Sequence, residues 1–109
     1  MKLGIPERLV FSMLFPEKGN LITQTLVKDI AKRVEITQKE MKKIEFIAVS
    51  QNQFRWNKEK AKDLDIDFTK AELEFLKQQV DRLDREKKIT QDILDLCLKI
   101  KTLKSSTEE

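Results

Sequence analysis

The chain has 109 residues, 38% of them charged and 39% apolar, which predicts one modestly sized domain with no membrane-spanning segment. It has no histidine, two glycines and a single cysteine, Cys97, so an internal disulfide is excluded. Without a disulfide, the protein is expected in the cytoplasm. The usual residues of a zinc site, a general base and a glycine-rich phosphate loop are missing, so we expect a protein that is not an enzyme and has no catalytic residue, metal or cofactor.

Two helices are predicted in the first 35 residues. Pro6 suits the first turn of a helix, because its missing N–H needs no partner there, and Pro16 ends that helix. A second helix, capped by Thr23 or Thr25, is predicted to run to about Glu35.

A capping box predicts the start of a third helix, which runs from Thr37 to about Glu45. The threonine oxygen can accept from a free amide in the first turn, while the side chain of Glu40 can accept from the threonine amide. A helix that ends near Glu35 and one that begins at Thr37 cannot be collinear. The two helices must cross, and the small Ala31 allows a close approach.

This pattern resembles the helix-turn-helix family. Apolar residues match the family at five positions, which are Ile30, Val34, Ile36, Met41 and Ile44. Ala31 matches the small position of the family. The turn residue, usually glycine in that family, is Glu35 here, and a non-glycine residue in a left-handed turn costs about 1 kcal/mol. The resemblance therefore implies crossed helices with a looser turn.

After Ile44 the sequence pattern becomes typical of β-strands. A hairpin is predicted over 46–50 and 53–57. Apolar residues alternate with aspartates over 63–68, which predicts a strand with one buried face and one solvated face. Three helices followed by a small sheet resemble a winged helix, in which 46–57 would be the wing and 63–68 an added strand.

Two further helices are predicted towards the C-terminal end. Thr69 and Glu72 form a second capping box, which opens a helix that runs to about Arg85 with an apolar stripe on one face. Thr90 is predicted to cap the last helix, which ends near Leu103.

The predicted fold is α+β and mainly helical. It consists of a three-helix helix-turn-helix core, a small antiparallel β-hairpin or three-stranded sheet, and a C-terminal helical hairpin. A single domain is expected over 1–103, divided into 1–45, 46–68 and 69–103, and followed by a flexible tail over 104–109.

Basic residues are concentrated in the first 62 residues, where 13 lysines and arginines stand against 7 acidic residues, compared with 9 against 12 in the remainder. Glutamine can bond adenine edges, and lysine or arginine can bond guanine or phosphate. The candidate nucleic-acid contacts, on the third helix and the wing, are Gln38, Lys39, Lys42, Lys43, Arg55, Lys58 and Lys60. The alternative is that these cations only solubilise exposed faces, and Glu35, Glu40 and Glu45 would each repel phosphate.

Two sets of residues around the predicted sheet are candidates for binding a partner. Phe54 and Trp56 share one face of a strand, where they either stack on bases or a partner surface or, as we favour, cover the core. Asp63, Asp65 and Asp67 lack the glycine and the closing glutamate of a calcium loop. We interpret them as a solvated strand face that is also open to a basic partner.

The last predicted helix has an apolar face wider than one neighbouring helix covers. Leu96 and Ile100 on this face are candidates for a homodimer contact, because large apolar patches are seldom left exposed. The alternative is that the whole face packs over the sheet and the first helix. Cys97 is expected in the core, where cysteine behaves as a small apolar residue.

The whole chain also resembles small proteins encoded by bacteriophages and prophages. The pieces that carry this resemblance are Gly4-Ile5-Pro6-Glu7-Arg8-Leu9, Gly19-Asn20, Thr37 with Glu40, and Trp56-Asn57. The resemblance implies a short viral accessory protein in the cytoplasm of the host cell, of a kind that commonly binds host or phage macromolecules.

Two functions from different classes are therefore expected. The first is a non-enzymatic regulator that binds double-stranded DNA through the third helix and the wing. The alternative is a phage accessory protein that binds a host or phage protein, such as an inhibitor of a host defence or transcription complex, or a virion assembly component.

Overall fold

The computed structural model describes residues 1–51 and 53–103. The elements in chain order are β1 (Lys2–Leu3), α1 (Ile5–Val10), a 3₁₀ helix (Phe11–Leu14), α2 (Leu21–Val34), α3 (Gln38–Lys43), β2 (Ile47–Ser50), β3 (Gln53–Arg55), β4 (Leu64–Asp65), α4 (Lys70–Arg85) and α5 (Gln91–Thr102). The chain is α+β and mainly helical, which confirms the predicted class. The tail predicted over 104–109 lies outside the described residues.

The start of α2 is set by Asn20. Its side-chain oxygen accepts from the Thr23 amide at 2.8 Å, so the helix begins at Leu21 and the prediction of a cap at Thr23 or Thr25 is wrong. Asparagine is among the strongest caps, because from an extended backbone its short side chain reaches an amide in the first turn.

Both predicted capping boxes are present. The hydroxyl of Thr37 accepts from the Glu40 amide at 3.2 Å and opens α3, and the hydroxyl of Thr69 accepts from the Glu72 amide at 3.1 Å and opens α4. Thr90 is the residue before α5, as predicted, but its side chain makes no capping bond.

The strands form two separate antiparallel pairs. β2 pairs with β3, which confirms the predicted hairpin, with an irregular register between Ala48 and Ser50. β4 pairs with β1, where Leu64 faces Leu3, so the prediction that this strand extends the wing is wrong. Leu3 and Ile66 are both buried in the main core, and their shared burial places the segment against the N-terminal strand.

The main core lies where the 3₁₀ helix meets α2, α4 and α5. Its most deeply buried side chains are Leu3, Phe11, Leu14, Ile30, Leu76, Ile93, Leu96 and Ile100. Leu96 is 1% exposed and Ile100 is 0% exposed, so the prediction that these two residues form a homodimer contact is wrong. They have no accessible surface for a partner, because α5 turns this face onto the rest of the protein. Cys97 is also buried, as expected, and burial raises the pKa of its thiol.

A second, smaller cluster connects α1, α3 and the hairpin. Its buried members are Ile5, Ile36 and Ile44, and Phe46 and Trp56 pack against them. Helix α3 itself contributes no buried residue. Met41 of α3 is half-buried against this cluster, and the buried Ile36 and Ile44 lie just before and just after the helix. Among the described residues, no helix is both long enough and apolar enough to cross a membrane.

Candidate nucleic-acid interface

The connection between α2 and α3 is extended. Glu35 has φ −57° and ψ 137°, and Thr37 has φ −71° and ψ 159°. Glu35 is therefore not in the left-handed region, and the expected steric cost at the turn is wrong. The backbone is extended at both residues instead, and the side chain of Ile36 is buried in the smaller cluster with Ile5 and Ile44.

Arg8 of α1 links the end of α2 to the start of α3. Its Nε donates to the carbonyl oxygen of Val34 at 2.9 Å, and its Nη2 donates to that of Glu35 at 2.5 Å. Carbonyls at a helix C-terminus lack partners within the helix and form the negative end of the helix dipole, so a guanidinium group suits this place.

The same guanidinium binds Glu40 through both terminal nitrogens. Nη1 lies 2.7 Å from Oε2 and Nη2 lies 2.9 Å from Oε1, the two-pronged geometry in which arginine binds carboxylate most strongly. The Arg8 side chain is only 1% exposed. Sequence reasoning missed this contact, because no local pattern connects Arg8 with a glutamate 32 residues away.

Two of the three carboxylates expected to repel phosphate are paired with cations. The hydrogen bond from Arg8 holds the pKa of Glu40 below its ordinary value, although partial burial opposes the shift. Glu45 accepts from Lys60 Nζ at 2.9 Å, and that hydrogen bond lowers the pKa of Glu45. Glu35 is exposed. Glu40 and Glu45 therefore stay ionised and are each balanced by a neighbouring cation, and the pair with Glu45 uses the charge of Lys60.

The outer side of α3 is formed by Gln38, Lys39, Lys42 and Lys43, all of which are exposed. Within residues 1–51 and 53–103, none of these three lysines takes part in an ion pair. Lys42 and Lys43 lie in the last turn of α3, where a positive charge complements the helix dipole. This face combines three cations with one amide side chain.

The hairpin is fixed to the end of α3 by aromatic stacking. The ring of Phe46 lies 5.3 Å from that of Phe54 and 6.2 Å from that of Trp56, measured between centroids, and both pairs are nearly parallel. Trp56 is half-buried, whereas Phe54 is 41% exposed. Phe54 therefore departs from the expectation that both rings cover the core.

Asn57 positions the basic turn that follows β3. Its backbone N–H donates to the carbonyl oxygen of Ile44 at 2.6 Å, and its side-chain oxygen accepts from the amides of Glu59 and Lys60 at 2.9 and 3.3 Å. This asparagine turn places Lys58 and Lys60 beside the end of α3. Its side-chain bonds are local, so Asn57 was recognisable from the sequence as a turn residue.

The remaining predicted contacts lie around β3 and β4. Arg55 is exposed on β3, opposite Ile47. Asp63, Asp65 and Asp67 are exposed as predicted, and Asp65 accepts from the amino group of Met1 at 3.2 Å. In the described parts of the chain, no group of three histidine, cysteine, aspartate or glutamate residues is placed to hold a metal ion.

Comparison with known proteins returns no match to a family model, a curated protein or a solved structure. The function is therefore inferred from the geometry of α3 and the hairpin. That geometry gives a surface of exposed cations with an amide at one end, and its carboxylates are partly neutralised by Arg8 and Lys60.

Proposed function

We propose that the chain is a phage-type, non-enzymatic regulator that binds nucleic acid. In this proposal α2 and α3 act as a helix-turn-helix and the β2–β3 hairpin acts as a basic wing. The main supporting observation is the sidedness of α3, which directs Lys39, Lys42 and Lys43 outwards while Glu40 faces Arg8. An outward glutamate in the middle of this face would oppose phosphate, and pairing with Arg8 weakens that opposition.

The length of α3 limits how much sequence it can read. Six residues span about 9 Å, which corresponds to about three base pairs in the major groove. Gln38 at the start of α3 suits an adenine edge, and the lysines suit phosphate or guanine. Most of the affinity is then electrostatic, so binding should have low sequence specificity and a strong dependence on salt.

The proposal is tested by fluorescence anisotropy with a random-sequence duplex of about 20 base pairs, at about 50 and 200 mM salt. Changing Lys39, Lys42 and Lys43 together to alanine should greatly weaken binding. If each lysine contacts one phosphate, the slope of log affinity against log salt should become shallower by about 2.7. All three side chains are exposed, so the free energy of unfolding should stay near that of the native chain.

A matched control removes the same charge elsewhere. Lys70 and Lys77 of α4 and Lys87 after it lie outside the proposed surface. Changing these three to alanine should alter duplex affinity less than threefold. Equal losses in the two triple variants, or no binding by the native chain even at low salt, would refute the assigned surface.

A protein-binding module is the second candidate, and the hairpin supports it. Ile47 is 54% exposed, Val49 is 50% exposed and Phe54 is 41% exposed. Val49 and Phe54 line the same cleft, and exposed apolar residues that lie close together often belong to protein interfaces. Changing Ile47 and Val49 to threonine would leave duplex binding unchanged if the hairpin serves a protein partner, and would weaken it if these side chains contact DNA.

A further inference from the structure

A cleft runs between the α1–3₁₀ segment and α2, on a surface that the proposed function does not use. Its floor is apolar and consists of Phe15, Ala31 and Val34. Its rim carries Ser12 from the 3₁₀ helix and Lys28 and Lys32 from α2. We call this surface the α1–α2 cleft.

The rim of the α1–α2 cleft is positively charged along one side. Lys28 and Lys32 are one helical turn apart and exposed, and among the described residues neither forms an ion pair. Arg8 also borders the cleft, but Glu40 neutralises its charge. Asp29 is exposed on α2 and does not line the cleft.

The two ends of the cleft differ in charge. Glu35 lies at the end nearest α3 and is exposed. Lys28 is seven residues earlier, about 10 Å away along the helix. A negatively charged ligand is therefore favoured towards Lys28 and opposed towards Glu35.

We propose that the α1–α2 cleft binds a short acidic segment of a partner protein, in which a large apolar side chain is flanked by aspartate or glutamate. The apolar side chain would cover Phe15 and Ala31, and the carboxylates would pair with Lys28 and Lys32. Ser12 offers a hydroxyl to the backbone of the segment. A nucleic-acid backbone fits less well, because it has no apolar group for this floor. The inference is independent of the proposed function.

The test uses a fluorescein-labelled peptide of about ten residues in which leucines alternate with glutamates, followed by anisotropy. A peptide with lysine in place of each glutamate serves as the ligand control. The acidic peptide should bind at least tenfold more tightly than the basic one, and its affinity should fall as salt rises. Equal binding of the two peptides, or none, would overturn the proposal.

Two double charge reversals serve as controls for each other. Lys28 and Lys32, like Lys39 and Lys43, are spaced by one helical turn. Changing Lys28 and Lys32 to glutamate should lower the affinity for the acidic peptide at least tenfold and the affinity for the random duplex less than threefold. Changing Lys39 and Lys43 to glutamate should do the opposite. If the change at Lys28 and Lys32 lowers only the affinity for the duplex, the cleft belongs to the nucleic-acid surface and the proposal is wrong.

Ala31→Leu tests the floor without changing charge. Ala31 is half-buried in a helix and lines the cleft, so leucine should fill part of the floor. The acidic peptide should then bind at least fivefold more weakly, with helix content unchanged. Unchanged peptide affinity would show that the apolar floor is not used. Failure of the native chain to bind duplex, with the peptide result intact, would refute only the proposed function.

Discussion

Helices α3 and α4 have the same kinds of contact at their ends but differ in how many of their own residues are buried. Each begins with a threonine–glutamate capping box, and each of those glutamates binds an arginine from another element. Each is followed by a non-glycine residue with positive φ, Glu45 at 57° and Lys87 at 56°. However, α3 has six residues and none is buried, whereas α4 has sixteen and six are buried.

The difference shows two ways to orient a helix. The buried stripe of α4 sets its position, so its terminal contacts add only modestly. α3 depends mainly on its ends, namely the cap, the contact with Arg8, and the buried Ile36 and Ile44 that flank it. Within the helix, the only apolar side chain is the half-buried Met41. A helix held by its ends can present most of its own side chains to solvent, as a surface that binds another molecule requires.

The two arginine–glutamate pairs have opposite burial. Arg8 is 1% exposed and Glu40 is 37% exposed, whereas Arg33 is 39% exposed and Glu72 is 4% exposed. Loss of the carboxylate charge therefore leaves a buried cation in the first pair and a cation that can turn to water in the second. The free energy lost should be larger in the first pair.

The largest expected effect compares Glu40→Gln with Glu72→Gln. Glutamine keeps the size and the capping oxygen and removes the charge. Glu40→Gln should lower the free energy of unfolding by about 2–3 kcal/mol, because the buried Arg8 loses its counterion. Glu72→Gln should cost about 1 kcal/mol, because Arg33 is partly solvated. Urea denaturation measures both, and a larger loss for Glu72→Gln would contradict this account of the pairs.

A smaller effect on stability is expected when the pH is lowered. The pKa of Glu40 is lowered in the folded protein, so its contribution to stability is present above its ordinary pKa and is lost as the pH falls below it. Arg8→Met should return the pKa of Glu40 towards its ordinary value. Stability should then fall less between about pH 5 and pH 3 than in the native chain.

The comparison with Arg8→Met isolates Glu40. Glu45 and Glu86 also have lowered pKa values, but their partners are Lys60 and Lys88, and both pairs remain in the variant. Carboxyl titration by NMR checks the assignment. An unchanged Glu40 pKa in Arg8→Met would show that Arg8 is not the cause.

The smallest expected effect is at the residues that follow the two helices. Lys87 adopts a left-handed conformation that glycine accepts without steric cost, so Lys87→Gly should raise the free energy of unfolding by about 0.5–1 kcal/mol. Glu45→Gly should gain less, because it also removes the contact with Lys60. Thermal unfolding ranks the two variants, and a larger gain for Glu45→Gly would show that its ion pair contributes nothing.

Local signals allowed much of this fold to be predicted from sequence. Both capping boxes depend on residues three apart, and the outward face of α3 follows from helical spacing. Asn20 was also a local signal, because its side chain caps the amide of Thr23, three residues further along the chain.

Contacts between distant residues could not be predicted in the same way. The binding of Arg8 to Glu40 and the pairing of β1 with β4 join segments that no periodic pattern connects. The same holds for α5, since the width of its apolar face does not say what covers Leu96 and Ile100. The partly neutralised surface around α3 is therefore a product of the tertiary structure.

The central claim is that α3, held at its ends, presents a basic surface to nucleic acid. An NMR titration of the isotope-labelled chain with a random duplex at low salt tests it most directly. The account predicts that amide shifts change at 38–43 and 55–60 and stay constant along α4 and α5. Changes confined to α4 and α5, or no change at any residue, would contradict it.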